Sequence, residues 1–446
     1  MQTVEYATPP LPAALPREAT AWQKIAWVLY DWANSGYGLI ITGPLFSPYF
    51  VGTLLPEQPS LPAGPGGQAA HGLMLGSTAV PATAVYGVLT ALVALLVTLT
   101  APVLGALADL RGWTKGLLVT TATAGSVFAC TSYFLSPGRW LMGGIIYVVS
   151  AFFFATSLTF YNAYLPVLTA PEKQGRLSGW GFGIGYVGGA VALILAYIVV
   201  YQTLGFSFTA ALAFGGVWWL AFSLPAFVLL PKVAPAAAGY DPTRSLVGQS
   251  FGRLMGTLRH IRQFRMLFLF LLAFLVYNNG IDTVINLSPA FGEDVLKMTE
   301  GELIRMFLIV QFVAFFGASI FGYVADKFGN KPVIVSNLVV WCVAVLGVAF
   351  VQTSGQFTVL GVLIGLVLGG VQSSSRALMS LLAPEEIRNE AFGFFSLSGK
   401  AISIFGPALF AVVATRFGVR TGVYAVLPFL VVGLILVLRV KEPRAR

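Results

Sequence analysis

The chain has 446 residues, 57% of them hydrophobic and only 10% charged, against roughly 25% charged in a soluble globular protein. That balance excludes a water-soluble fold and makes lipid the solvent for most of the surface. The net charge of +9 does not point to nucleic acid, because the basic residues fall between apolar blocks instead of clustering on one domain.

Residues 1–24, read as a cytoplasmic tail, are rich in Pro and Ala. They lack the roughly 7–15-residue apolar core of a cleaved signal peptide, so the first span itself is expected to direct insertion. A membrane helix needs ~20 mostly apolar residues. Twelve such spans are predicted, at 25–51, 83–108, 116–136, 140–168, 179–203, 208–230, 266–290, 303–325, 332–352, 356–382, 391–415 and 420–439. The expected fold is an all-α membrane protein with two pseudo-symmetric six-helix halves, 25–230 and 266–439. A basic linker, 231–265, joins them, and a short tail, 440–446, follows. The stretch 240–262 within the linker reads as a short amphipathic surface helix. The loop 52–82 is rich in Pro and Gly and carries no Lys or Arg. Of the 26 Lys and Arg, nineteen fall in the termini and the loops that share their side, five in the opposite loops and helix ends, and two inside spans. By the positive-inside rule both termini are cytoplasmic.

The two halves repeat one another. Gly105-Ala-Leu-Ala-Asp109 follows the second span and Gly322-Tyr-Val-Ala-Asp326 the eighth. Pro171-Glu172 follows the fourth span and Pro384-Glu385 the tenth. Tyr30-Asp31 in the first span aligns with Tyr277-Asn278 in the seventh, and Cys130 nearly corresponds to Cys342. Internal repeats of this kind are how secondary transporters build alternating access, with the site between repeats.

Gly322 to Lys331, with Asp326, Lys327 and Gly329 between, resembles the loop signature of the major facilitator superfamily. The first copy, Gly105 to Lys115, departs from it: Leu110 stands where a basic residue usually follows the Asp, and Arg111 comes one place later. Within that superfamily, Tyr30-Asp31-Trp32-Ala33-Asn34-Ser35 resembles the opening signature of the branch containing the autophagy-related vacuolar amino-acid effluxers and their bacterial relatives. Tyr161-Asn162-Ala-Tyr164-Leu-Pro166, Gly175-Arg176-Leu-Ser178-Gly179, Gln372-Ser-Ser-Ser-Arg376 and Phe394 to Lys400 resemble that branch too. The resemblance spans nearly the whole chain. It implies spans 1, 4, 7 and 10 lining the pathway, and Asp109 and Asp326 docking against the opposite half when the inside is shut. The gate loops would be Gly105, Asp109 and Arg111 in one half and Gly322, Asp326 and Lys327 in the other. It also implies a monomer, suggests amino-acid efflux, and points to a bacterial cytoplasmic membrane.

Charges inside a bilayer cost a few kcal/mol or more each and mark pathways by default. Asp31 lies ~10 Å deep at 1.5 Å per residue. With Asn34, Ser35, Gly38 and Thr42 it shares one helical face. Arg376, with Gln372 one turn away, forms a second stripe at similar depth. An Asp31–Arg376 pair is expected either as a structural lock or as half of a site for a charged solute. Asn278, Asp282 and Asn286 recur at i, i+4 and i+8, with Asn279 beside them. Lys400 falls near mid-membrane, where it would pair with Asp282 or bind a carboxylate. Tyr161 and Asn162 add phenol and amide groups. Both charge signs among amides suit a zwitterion such as an amino acid, and Asp31 and Asp282 are the candidate proton carriers.

Other chemistries lack material. Cys130 and Cys342 lie in separate apolar stretches and His71 and His260 in loops, so no metal site, disulfide framework or cofactor is expected. Gly183-Ile-Gly185-Tyr-Val-Gly188 matches a dinucleotide fingerprint, but no strand precedes it. Inside the fifth span, Gly181, Gly185 and Gly189 instead make a small-residue packing face. An intramembrane enzyme would need clustered nucleophiles or ligands that are missing. No phosphate-binding loop of an ATP-driven pump exists. The remaining alternative is a lipid or amphiphile transporter, or a transport-dead receptor, on the same fold.

Overall fold

The computed structural model describes residues 18–43, 45–61, 70–235, 241, 243, 245–260, 262–400 and 405–443. The main helices are α1 Ala21–Tyr37, α2 Ala82–Arg111, α3 Thr114–Cys130, α4 Trp140–Asn162, α5 Gln174–Ile194, α6 Phe208–Leu229 and α7 Leu246–Arg259. They continue as α8 Arg265–Leu296, α9 Glu300–Phe328, α10 Asn330–Gly347, α11 Ser354–Leu382, α12 Arg388–Lys400, α13 Phe405–Phe417 and α14 Leu427–Arg439.

Among the described residues, ten helical stretches are long and apolar enough to cross a membrane. The first and eleventh expected spans are not among them. α1 passes into wide π turns at Gly38–Thr42 and Phe50–Leu54, and α12 and α13 flank positions outside the described residues. Apolar side chains cover the outside of the bundle. Val88, Leu92, Leu95 and Leu99 form one exposed stripe along α2, as expected of a helix whose outer solvent is lipid.

The loop 52–82 is not wholly irregular. Gly72–Leu75 pairs antiparallel with Thr78–Pro81. Gly76 takes φ +64° at the first place of the two-residue turn, a conformation that glycine adopts without steric penalty. Apart from this hairpin the elements named among the described residues are helical, as expected of an all-α membrane protein.

Buried apolar residues divide by sequence. One cluster runs from Trp27 to Leu230, joined by Ala377. A second runs from Leu267 to Val440, joined by Ala163. Residues at both ends of the described chain reach the same end of the bundle, termed the terminal face. Glu18 pairs with Lys173 before α5, and Glu442 accepts from the backbone N–H groups of Asn330 and Lys331 after α9. Contacts between α1–α6 and α8–α14 concentrate toward that face: α5 on α9 and α11, and α2 and α4 on α12. The distal segments Leu195–Thr203 and Phe405–Phe417 make no extensive contact with the opposite group.

Glycine makes the α5 crossings possible. A Cβ at Gly185 would lie 2.8 Å from Ser35 Oγ and one at Gly189 2.9 Å from Leu39 Cδ1, both on α1 or its extension. On the other side of α5, a Cβ at Gly179 would run into the Ala318 carbonyl of α9. The glycines that mimic a nucleotide motif are thus packing surfaces.

Candidate functional site: a buried ion pair behind a closed face

Two aspartates bridge the two groups of helices at the terminal face in matching ways. Asp109, at the end of α2, is buried. Its Oδ1 accepts from Asn389 N at 3.0 Å and from Asn389 Nδ2 at 2.8 Å, and its Oδ2 accepts from Glu390 N at 3.0 Å. Asp326, at the end of α9, accepts from Arg176 N at 3.0 Å, with Arg176 Nε 3.8 Å from its other oxygen. Each carboxylate therefore sits on the first turn of a helix from the other half of the sequence, where free N–H groups and the helix dipole favour an anion. Asn389 stands at the place in the second repeat that Arg176 holds in the first. Gly105 abuts the Asn389 carbonyl, and a Cβ at Gly322 would lie 2.7 Å from the Gly175 carbonyl. Arg111 lies over the Trp113 ring at 4.7 Å. Lys327 is exposed, 5.3 Å from the Phe328 ring.

One layer deeper, Arg376 of α11 crosses into the first group of helices. Its Nη1 donates to Asp31 Oδ2 at 2.8 Å and to Asn162 Oδ1 at 3.4 Å. Its Nε donates to Ser178 Oγ at 2.9 Å and its Nη2 to the Ser178 carbonyl at 2.8 Å. Ser178 Oγ in turn donates to the Ser373 carbonyl. The guanidinium also faces the rings of Phe182 at 4.1 Å and Trp27 at 4.6 Å. Arg376 is 2% exposed and Asp31 5%. A charge so desolvated persists only when paired and hydrogen-bonded, and here α1, α4 and α5 together supply the partners.

The surroundings follow from the sequence around Asp31. Trp27 and Tyr30, one turn before it and beside it, stack on Tyr161 of α4 at 4.7 and 4.8 Å. Trp27 Nε1 donates to the Tyr161 carbonyl, and Asn34 Nδ2 donates to Asp31 Oδ1 at 3.3 Å. One turn distal to Arg376, Tyr186 Oη donates to Gln372 Oε1 at 2.5 Å. That bond ties α5 to α11 above the ion pair.

The expected stripe on α8 is divided. Asn278 Nδ2 donates to Asp282 Oδ2 at 2.9 Å, both partly buried, and Asn286 is exposed. Asn279 is buried on another side, where a Cβ at Gly406 would meet it and Thr283. The side chain of Lys400 lies outside the described residues. Among the described residues no cluster of His, Cys, Asp and Glu is arranged to hold a metal. Sequence reasoning missed Ser178, Gly181 and Phe182 as neighbours of Arg376. The quoted Gly175-Arg176-Leu-Ser178-Gly179 segment carried the only signal, a hydroxyl between glycines.

Two solved transporter structures superpose on this chain. The human organic anion transporter MFSD10 superposes with a TM-score of 0.68 over 95% of this chain and 100% of its own, at 13% identity. A bacterial homologue of the iron transporter ferroportin superposes at 0.65 over 94% and 98%, at 16% identity. The chain therefore shares the fold of these two proteins. The family model described as "Vacuole effluxer Atg22 like" matches residues 19–446. An uncharacterised MFS-type transporter of Bacillus subtilis, YxiO, is 31% identical over 429 residues, 94% of this chain and 95% of that one. Autophagy-related protein 22-1 of Penicillium rubens is 24% identical, over 70% of this chain and 67% of its own. The chain belongs to the Atg22-like family of major facilitator transporters.

Proposed function

We propose that this secondary transporter moves a small polar or zwitterionic solute, an amino acid or related metabolite, out of the bacterial cytoplasm by alternating access. Its parts would be two six-helix halves, 25–230 and 266–439, a linker at 231–265 and cytoplasmic tails at 1–24 and 440–446. The terminal face is then cytoplasmic, and the chain works as a monomer. The single observation that carries the reading is the Asp31–Arg376 pair, 2.8 Å long and almost fully buried, joining the two halves under a closed face.

In this state the pair is a lock. Among the described residues the polar partners of Arg376 belong to the first half, so separating the halves at the terminal face must pull Arg376 from Asp31. Opening hydrates both charges and frees them for a carboxylate and an ammonium of a zwitterion. The polar residues Asn34, Tyr161, Asn162, Asn278, Asn279, Asp282, Asn286, Gln372 and Lys400 complete the proposed pathway. Gly105, Asp109, Arg111, Gly322, Asp326 and Lys327 form the proposed gate. Asp31 and Asp282 are the proposed proton carriers. A transport rate unchanged when the pH gradient is collapsed would rule proton coupling out.

A second reading has one observation in its favour. A largely apolar cavity of about 230 Å³ lies between Leu193, Ile194 and Tyr197 on one side and Leu303, Ile304 and Leu308 on the other. It suits the tail of a lipid or amphiphile. A thermal-shift screen of the purified protein against amino acids, peptides, sugars and lipids separates the two. A ligand at 100 times its dissociation constant adds about 2.7 kcal/mol of stability. An amino-acid shift lost in Asp31→Asn or Arg376→Ala supports the first reading, whereas shifts confined to lipids support the second.

A further inference from the structure

The linker helix α7 makes its own contribution to the closed face. Ser250, Leu254 and Thr257 are buried and recur at helical spacing. This side of α7 packs, and α2 is the helix it packs against. Arg253 projects from the edge of the same side and reaches the other half. Its Nε lies 3.7 Å from Glu390 Oε2, and its Nη2 donates to the Glu386 carbonyl.

Glu390 lies in the first turn of α12 and its carboxylate is completely buried. Its backbone N–H donates to Asp109, so a second carboxylate stands beside it. Glu390 faces two groups of α7, the Thr257 hydroxyl and Arg253, and Arg253 is its ion-pair partner. A desolvated carboxylate beside another disfavours the charged form unless a cation faces it. The α2–α12 junction receives that cation from the segment that joins the halves, not from either half. When α12 moves away from α2, water reaches Glu390 and takes over the role of the guanidinium.

We propose that Arg253 is a positioning residue of the transport cycle, with α7 acting as a latch that holds the terminal face shut through the Arg253–Glu390 pair. The latch rests on the alternating-access reading above. α7 stays on α2, and the pair breaks and reforms once per cycle.

Nitroxide labels on Gly116→Cys and Phe328→Cys report the distance across the terminal face by pulsed dipolar spectroscopy in lipid nanodiscs. Both positions are exposed, on α3 and α9, and Cys130 and Cys342 are replaced by Ala in that background. Wild type is expected to populate a short and a long distance. Arg253→Gln lowers the short-to-long ratio about tenfold, discounted from a fully buried pair because Arg253 is 19% exposed. Adding Glu390→Gln restores the ratio, since a neutral side chain needs no cation. An unchanged ratio in Arg253→Gln overturns the latch. So does a loss that Glu390→Gln fails to restore, which assigns Arg253 a packing role only. A wild type held at one distance at every pH and with every solute overturns alternating access itself, and the latch with it.

Discussion

Replacing Asp31 by Asn tests the lock by leaving Arg376 in place without its countercharge. Arg376 is 2% exposed, so water cannot substitute while the terminal face is closed. Removing one partner of a buried pair costs about 3–5 kcal/mol. The lower end applies, because the Ser178 hydroxyl and carbonyl, Asn162 and the faces of Trp27 and Phe182 still hold the guanidinium. At about 2–4 °C per kcal/mol for domains of 150–250 residues, a 3 kcal/mol loss lowers the melting temperature by about 6–12 °C. Asp31→Asn combined with Arg376→Leu removes both charges and recovers at least half of that loss, since an apolar replacement of a whole buried pair is often neutral. The assay is thermal unfolding of the detergent-solubilised protein, followed by tryptophan fluorescence, for wild type, both single variants and the double variant. A single variant that melts with wild type, or a double variant that loses the sum of the singles, refutes the argument that the two charges hold each other.

Three further outcomes follow from packing. Gly181→Ala places a methyl within 2.6 Å of Arg376 Nη2 and 3.0 Å of Trp27 Cζ3, and against Asp31 Oδ2; overpacking of this kind costs about 1–3 kcal/mol, read as a lowered melting temperature with loss of flux. Gly179→Val drives α5 into the Ala318 carbonyl and Gly322 Cα of α9; cysteine-reactive probes applied from the terminal side should then label positions near Ser178 faster than in wild type. Asp109→Ala strands the backbone N–H groups of Asn389 and Glu390 on α12; the lost cap is worth about 1–2 kcal/mol, and the same labelling should rise while total binding capacity is retained.

Hydropathy made the ten continuous spans legible, because a run of ~20 apolar residues has few other uses. The π turns of the first span were not legible. Gly38–Thr42 reads Gly-Leu-Ile-Ile-Thr, as apolar as an unbroken α-helix, and hydropathy carries no information on whether a turn is α or π. The hairpin at 72–81 had a signal, a Gly76-Ser77 pair between two short apolar runs, but it was hidden in a segment whose Pro and Gly content suggested only loop. At the site, Asp31 and Arg376 stood out because lipid penalises charge, and equal depth brought them together. Their neighbours Ser178, Gly181 and Phe182 are unexceptional in a membrane helix, and only the crossing of α5 over α1 gives them meaning. Glu390 escaped notice because it sits just before the apolar run of its span. Its burial comes from packing between α2, α7 and α12, which no local pattern encodes.

Solute flux through the purified protein in proteoliposomes tests the central claim most directly. Liposomes loaded with an unlabelled amino-acid mixture should exchange it for labelled amino acid outside, faster than empty liposomes and faster than those carrying Asp31→Asn. No exchange of any amino acid, sugar or peptide, alongside accelerated movement of labelled lipid between leaflets, would contradict the account and make the Asp31–Arg376 pair a lock in a lipid transporter.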